Sequence, residues 1–230
     1  RSKIAAKKIE NKRSDGGLAS TKAKMGAIRQ ICLKYHAKKM PVIVYTHIYK
    51  NGILDVLKNG LQQVPGVDLR VETYTGEQPV QSREDVKSRF IKGEIDVLIG
   101  SQAICTGVDG LQEACCCMVI NLLPMTHGEW EQLKGRLFRA GQKGVVEVFI
   151  LVTRLLRGRS TQSEDEVDWI RIQSKSSIAD AVIDGELPSG KRQLIESLSR
   201  ESVEARLKMW LDAIDAEGAT VAEPTELVPR

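Results

Sequence analysis

The sequence lacks the features that define several common protein classes. Its 230 residues contain no apolar run of the roughly 18 residues that cross a membrane, and no secretory signal opens it. The charge balance is only mildly basic, with 34 basic and 30 acidic residues, so any nucleic-acid-binding surface must be a local patch. Because 42% of the residues are hydrophobic and can form a core, we expect a soluble, globular, intracellular protein.

Cysteine and histidine residues lack the spacing of metal ligands. Three of the five cysteines are consecutive, at 115–117, and cannot chelate one metal in the way that a Cys-x-x-Cys pair does. We predict that they are small, buried strand residues in a reducing compartment. His36, His47 and His127 are too scattered for a metal site or a catalytic triad, so we expect them to be structural or on the surface.

A third absence concerns nucleotide chemistry. No Gly-x-x-x-x-Gly-Lys-Ser/Thr loop and no Asp-Glu-x-His-type metal box occurs in the chain, so we do not expect it to hydrolyse ATP alone. The chain begins at Arg1 without a methionine, and the residues Leu-Val-Pro-Arg at 227–230 look like the remnant of a thrombin-cleavable tag. We therefore expect an excised part of a longer protein.

The order of helical and extended segments predicts the fold class. Apolar residues recur at helical spacing from Leu18 to Tyr35, and Pro41 ends this helix, whereas residues 1–17 are charged and have no apolar period. Helical and β-rich segments then alternate, which predicts a mostly parallel sheet covered by helices on both faces, an α/β fold. The predicted strands are 42–45, 69–73, 95–99, 118–120 and 145–152, and the predicted helices are 53–61, 82–92 and a third that carries Arg136 and Arg139.

The composition changes after residue 153. The stretch 154–161 is basic, and Ser163 with Glu166 forms a capping box that starts a new helix, which Gly185 ends. A final helix is predicted over 194–214. We divide the chain into four parts: a flexible lead-in at 1–17, the α/β domain at 18–153, a helical brace or extension at 154–222, and a linker with the tag remnant at 223–230.

Two arginines three positions apart form the most informative pattern. Arg136 and Arg139 lie in the segment Gln-Leu-Lys-Gly-Arg-Leu-Phe-Arg-Ala-Gly-Gln at 132–142. If Trp130 and Leu133 bury one face of a helix, both arginines project from about the same side and can meet a phosphate together. A solvated helical surface is the alternative for any such pair. The glycines beside the first arginine and after the second favour the functional interpretation.

A second candidate loop follows the predicted strand 95–99. The segment 100–110 carries three glycines that let the backbone approach a ligand, Ser101 and Thr106 offer hydroxyl donors for phosphate, and Asp109 can accept from a ribose hydroxyl. Taken alone, such a segment is more often an ordinary turn-rich loop. Ligands of parallel sheets bind outside the carboxyl ends of the strands, so this loop and the arginine segment are expected to lie at the same sheet edge.

These motifs resemble a known family, the second RecA-like domain of superfamily-two helicases and translocases. The segment 132–142 resembles motif VI, the loop 101–109 resembles motif V, and the segments 42–46 and 74–76 resemble motif IV and the next short motif. The closing Gly-Gln is similar to Swi/Snf-type duplex-DNA translocases, whereas Gly-Val-Asp at 107–109 is closer to the RNA helicase form. The resemblance covers 18–185 and implies a RecA-like parallel sheet followed by a helical brace.

The resemblance implies a role for each candidate residue. Arg139 would be the arginine finger that meets the γ-phosphate of ATP, and Arg136 would stabilise the phosphates or the pairing of two domains. Gln132 would help to hold that interface, and Gly107 and Asp109 would lie near the ribose. The residues that would contact the nucleic-acid phosphate backbone without reading sequence are Thr46, Thr75, Ser101, Gln102 and Thr106.

The resemblance also implies cofactors and partners. ATP and Mg²⁺ would be bound mainly by an N-terminal RecA-like domain of the same parent chain, expected before Arg1. The other partner would be nucleic acid, with duplex DNA favoured, and the full-length protein would be an ATP hydrolase. The alternatives are an RNA helicase lobe, or a RecA-like module without catalysis that binds nucleic acid or protein.

Overall fold

The computed structural model describes residues 2–106, 108–153 and 163–184, with the side chains of 15–106, 108–153 and 163–174. The described residues divide into two compact units, the first formed by 2–106, 108–124 and 128–151 and the second by 125–127, 152–153 and 163–184. The first unit contains five strands: β1 (Val42–Thr46), β2 (Val71–Tyr74), β3 (Val97–Gly100), β4 (Cys117–Leu122) and β5 (Glu147–Ile150). The helices are α1 (Ser2–His36), α2 (Ile53–Gln62), α3 (Val80–Ile91), α4 (Leu111–Ala114), α5 (His127–Lys134) and α6 (Glu164–Asp184).

The strands form one sheet in the order β2-β3-β1-β4-β5, and all neighbouring pairs are parallel. Every residue of the central strands β1, β3 and β4 is buried. Because alternate residues of a strand point to opposite faces, complete burial means that both faces of the central sheet are covered. The predicted α/β class is confirmed, and the continuous apolar runs in the sequence reflect this two-sided burial.

Helix α1 corrects the predicted start of the first helix. It begins at Ser2 rather than at Leu18, so the glycines within the expected lead-in do not break it. Gly17 is buried, and a Cβ atom at this position would lie 3.1 Å from Leu122 and 3.5 Å from Ile53. The glycine therefore permits a close approach between α1 and its neighbours, which single-sequence patterns do not distinguish from a break.

Helix α5 corrects the predicted position of the two arginines. The helix ends at Lys134, with Trp130 and Leu133 buried as predicted, and Arg136 and Arg139 follow in a series of turns. The amide of Arg136 donates to the carbonyl of Leu133 at 3.2 Å, a tighter pattern than the α-helical one. Glycine at 135 lowers helix propensity at the point where the α-helix gives way.

The second unit begins its helix with the predicted capping box. The Ser163 amide donates to the Glu166 carboxylate at 2.9 Å, and the Glu166 amide donates to the Ser163 hydroxyl at 3.1 Å. Helix α6 then runs to Asp184, in agreement with the predicted end before Gly185. The basic stretch 154–161, the helix predicted over 194–214 and the tag remnant lie outside the described residues. The four-part division of the chain remains a prediction.

No helix in the described part of the chain is long and apolar enough to cross a membrane.

Candidate functional site

The candidate residues gather at one edge of the sheet. Strands β1, β2, β3 and β4 all run in the same direction, so their carboxyl ends lie together, and the loops after them carry the predicted site residues. The loop after β3 enters a short 3₁₀ turn over Gln102–Ile104 and then leads to α4. The turns after α5 meet this loop through side-chain hydrogen bonds, as the sequence predicts for the two segments.

Arg136 joins these two segments. Its guanidinium donates to the carbonyl oxygen of Val108 at 3.1 Å and to that of Cys105, and it lies 3.6 Å from the carboxylate of Asp109. Only 17% of the side chain is exposed, and its Nε has no hydrogen-bond partner among the described residues. The geometry indicates that Arg136 fixes the loop after β3 against the arginine turns, with its Nη atoms directed to protein carbonyls.

Arg139 lies on the exposed side of the same turns. Its guanidinium forms an ion pair with Asp109, and 48% of the arginine side chain and 76% of the aspartate side chain are exposed. Two guanidinium groups therefore share one surface carboxylate. A phosphate that approaches Arg139 would replace a carboxylate with an anion of higher charge, and guanidinium groups bind both in the same forked geometry.

A glutamine and a glycine hold the turns in shape. The Gln142 amide nitrogen donates to the carbonyls of Cys115 at 2.9 Å and Leu137 at 3.3 Å, and its oxygen accepts from the Gly144 amide at 3.0 Å. Gly141 has a φ of +94°, a conformation that favours glycine. The sequence places both residues in the motif but does not indicate that Gln142 anchors the turns to the start of β4.

The nucleic-acid candidates separate into buried and exposed residues. Thr46 is fully buried and its hydroxyl donates to the carbonyl of Ile48 at 2.7 Å, while Ser101 is buried and caps the 3₁₀ turn through the amide of Ala103. Thr75 is also buried, and its amide donates to the side chain of Gln78 at 2.9 Å. Thr46 and Ser101 use their hydroxyls inside the loops and Thr75 is buried, so a phosphate contact from these three hydroxyls is not favoured by this geometry.

The remaining candidates are exposed or undescribed. Gln102 and Thr106 are exposed in the loop after β3, and the Gln102 amide donates to the carboxylate of Glu129 on α5. Gln132 is exposed on α5, where its predicted interface role stays a prediction. Gly107 lies outside the described residues. The structure thus brings together Arg136, Arg139, Asp109, Gln102 and Thr106 at one edge.

The cysteine side chains are not placed to act as nucleophiles. All five are free and buried, which confirms the prediction of buried residues for 115–117. Burial raises the pKa of the Cys105 thiol to about 11, even though a hydrogen bond with Tyr45 lowers it, and raises that of Cys115 to about 12. Thiols with such values are protonated at neutral pH and are poor nucleophiles. Within the described residues, no group of three or more His, Cys, Asp or Glu is placed to hold a metal ion.

Comparisons with known proteins show which family this chain resembles. Residues 23–141, a range that includes Asp109, Arg136 and Arg139, match the family described as helicase conserved C-terminal domain. A curated relative, DEAD-box ATP-dependent RNA helicase 41 of Arabidopsis thaliana, is 32% identical over 112 residues, which are 49% of this chain and 21% of the relative. The match therefore spans about a fifth of that protein's length.

Among solved structures, one with a TM-score above 0.5 supports the fold. The C-terminal part of the Fun30 ATPase domain matches 83% of this chain and 53% of its own, with a TM-score of 0.55 and 16% identity. The helicase MrfA, solved with DNA and AMPPNP, matches 71% of this chain and 20% of its own, with a TM-score of 0.49 and 15% identity. At these identities the likeness to the Fun30 domain shows the fold alone, and it confirms the predicted RecA-like architecture.

Proposed function

Because this chain belongs to the family of helicase conserved C-terminal domains, we propose that it is the C-terminal motor lobe of an ATP-dependent nucleic-acid translocase or helicase of superfamily two. In this role the chain supplies Arg139 as the arginine finger and part of the track that grips the phosphate backbone. ATP and Mg²⁺ are bound mainly by an N-terminal RecA-like domain that carries the P-loop. The complete motor is an ATP hydrolase, and this chain alone is inactive.

One observation carries the proposal. Arg139 is half-exposed at the carboxyl edge of the sheet and forms an ion pair with the exposed carboxylate of Asp109. Arg136 is mostly buried and donates to two backbone carbonyls. An arginine finger must be free to leave its resting partner and reach a phosphate bound by another domain. Of the two arginines, Arg139 has that freedom, and Arg136 supports the loop on which Asp109 lies.

The described residues match the phosphates and the ribose of a nucleotide, and none is assigned to its metal ion. Phosphate oxygens match the guanidinium donors of Arg139, and the Asp109 carboxylate is free on its exposed side to accept from a ribose hydroxyl. Phe138, beside the finger, is 58% exposed, and an exposed aromatic side chain is common at surfaces that another domain covers. No described residue is assigned to Mg²⁺, whose chemistry when bound is to neutralise charge on the phosphates.

The polymer on which the motor acts is a separate part of the proposal. The Gly-Gln that closes the arginine segment is similar to duplex-DNA translocases, and we favour duplex DNA. RNA is the second candidate, supported by the Gly-Val-Asp form at 107–109 and by the Arabidopsis relative, whose name describes an RNA helicase. A binding module without catalysis is the third.

The arginine finger is tested in the full-length protein with Arg139→Ala and Arg139→Lys. We expect nucleic-acid-stimulated ATP turnover to fall by about 10³ to 10⁵ in Arg139→Ala, with little change in the KM for ATP. Lys92→Ala is the matched control, because Lys92 is an exposed cation after α3, at the opposite edge of the sheet from the site. Turnover of Arg139→Ala within a few-fold of wild type would exclude the finger role.

The identity of the polymer is tested by measuring ATP hydrolysis of the wild-type full-length protein with duplex DNA or with RNA of equal length. We expect greater stimulation by duplex DNA, and binding that weakens as salt rises because phosphate contacts release counterions. Greater stimulation by RNA would select the second candidate. Salt-sensitive binding with no hydrolysis on either polymer would select the binding module.

A further inference from the structure

A buried polar cluster lies where α1 crosses the carboxyl ends of β1 and β4. Its four members are Thr21 and Lys24 on α1, Thr46 at the end of β1, and Asn121 near the end of β4. Lys24 is 5% exposed, Asn121 is 1% exposed, and both threonines are fully buried. Lysine and asparagine are seldom buried to this degree unless their polar atoms are used.

A break in the sheet register lies at the centre of the cluster. Tyr45 of β1 pairs with Ile120 of β4, but the next residue, Thr46, pairs with Leu122. Asn121 is thus the extra residue of a β-bulge, and pairing resumes beyond it, where the His47 amide donates to the Leu122 carbonyl at 3.2 Å. The Asn121 carbonyl accepts instead from the Nζ of Lys24.

The side chain of Asn121 has a defined orientation. The Thr21 hydroxyl donates to the Gly17 carbonyl at 2.8 Å and the Thr46 hydroxyl donates to the Ile48 carbonyl, so both oxygens are left as acceptors. The Asn121 amide nitrogen therefore faces them, at 2.8 Å from Thr21 and 3.4 Å from Thr46. Its Oδ1 is buried and has no hydrogen-bond partner among the described residues, an arrangement that fold stability alone does not favour.

We propose that Lys24 and Asn121 are positioning residues of the motor site, acting through the bulge at the end of β4. The bulge sets the direction in which β4 leaves the sheet toward α5 and the turns that carry Arg139. The same asparagine holds Thr46, where β1 passes into the loop predicted to face nucleic acid. One buried cluster therefore sets the position of both loops. The catalytic part of this inference rests on the proposed function, whereas the effect on the loops does not.

The effect on the loops is tested in this chain by hydrogen–deuterium exchange. Lys24→Met keeps the length of the side chain and removes the donor, Lys24→Arg keeps a donor, and Lys22→Met changes an exposed lysine of the same helix as the control. We expect Lys24→Met to accelerate exchange about tenfold or more at His47 and in the turns over 136–142, since one buried acceptor loses its donor. Strand β3 is expected to change much less.

Two results would overturn the inference on loop position. One is equal acceleration in β3 and in the loops, which would indicate a loss of overall stability alone. The other is exchange in Lys24→Met that matches Lys22→Met. Lys24→Arg is expected to restore at least part of the wild-type protection at His47. If Lys24→Met does not fold, Thr21→Val tests the cluster at its other contact, because it removes the acceptor of the Asn121 side-chain amide and nearly keeps the volume of the side chain, and the same pattern of exchange is expected.

The catalytic consequence is tested in the full-length protein by steady-state ATP hydrolysis. We expect Lys24→Met to lower kcat about tenfold or more while the KM for ATP changes less than about threefold, since the nucleotide is held mainly by the other lobe. An unchanged kcat with altered exchange would limit the cluster to a structural role and overturn the proposal. Absence of hydrolysis in the wild-type protein would instead contradict the proposed function, and the exchange result would still decide the position of the loops.

Discussion

Arg136 donates to the carbonyl oxygen of Val108 at 3.1 Å, across 28 positions of the chain. The bond joins the turns after α5 to the loop after β3, and a second bond from the same guanidinium to Cys105 strengthens the connection. Arg139, only three positions later, meets the same loop through the exposed carboxylate of Asp109. The two arginines of one motif therefore differ in environment, and they are expected to differ in what their loss does.

The first prediction separates stability from turnover. Arg136→Ala leaves two carbonyl oxygens without their donor, and we expect the free energy of unfolding of this chain to fall by about 3 kcal/mol. Arg139→Ala removes a surface ion pair and is expected to change stability by less than about 1 kcal/mol. Urea denaturation followed by circular dichroism measures both variants. Equal destabilisation by the two substitutions would contradict the division of roles.

The second prediction concerns Asp109 as a competitor for phosphate. Asp109→Asn removes the charge that holds Arg139 and leaves a side chain of the same size. We expect the affinity of this chain for tripolyphosphate to rise by up to about fivefold at low salt, the factor that corresponds to a surface ion pair of up to 1 kcal/mol. Tripolyphosphate has no ribose, so a lost ribose contact cannot mask the effect. Calorimetric titration measures the affinity, and unchanged or weaker binding in Asp109→Asn would show that the carboxylate does not compete.

The sheet and the proximity of the two site loops are predictable from the sequence because they depend on the order of apolar and polar segments along the chain. The strands β1, β3 and β4 are read as continuous apolar runs, since both faces of the central sheet are buried. The proximity of the loop after β3 to the segment of Arg136 and Arg139 follows from the rule that loops at the carboxyl ends of parallel strands share one edge, whereas the ion pairs of these arginines with Asp109 do not follow from it.

The environment of single side chains is less predictable because it depends on tertiary contacts. Thr46 and Ser101 are of residue types that often contact phosphate. In this structure both are buried, and the hydroxyl of each is hydrogen-bonded to a neighbouring backbone group. Gly17 is typical of a helix break but allows close packing inside α1. The bulge at Asn121 has no local signal, because it depends on pairing between β1 and β4, which lie far apart in the sequence.

The third prediction compares the effect on stability of substituting Gly141, in the turns after α5, and Gly128, in α5 itself. Gly141 has a φ of +94°, so we expect Gly141→Ala to lower the free energy of unfolding by about 1–2 kcal/mol. Gly128 is exposed in α5, and a Cβ there would have no atom within 4 Å, so Gly128→Ala is expected to raise it by up to about 1 kcal/mol. Urea denaturation checks the opposite signs. Stabilisation by Gly141→Ala would refute the left-handed turn.

The fourth prediction follows from the buried thiols. Burial raises the pKa of Cys105 from 9.0 to about 11 and that of Cys115 to about 12, so the folded state holds these protons more tightly than the unfolded state. Their contribution to stability is therefore fully present below about pH 9 and is lost as the pH rises toward 11 and 12. Each thiol lowers the free energy of unfolding by up to about 1.4 kcal/mol per pH unit in this window.

Urea midpoints measured across the pH range test this linkage. We expect a nearly constant midpoint between about pH 7 and 8.5 and a steep fall from about pH 9 upward. Cys105→Ala removes one of the titrating thiols, so its slope between about pH 9 and 11 is expected to be shallower by up to about 1.4 kcal/mol per pH unit, whatever its stability at neutral pH. A midpoint that stays level to about pH 11 would mean that the Cys105 and Cys115 thiols are not buried as described.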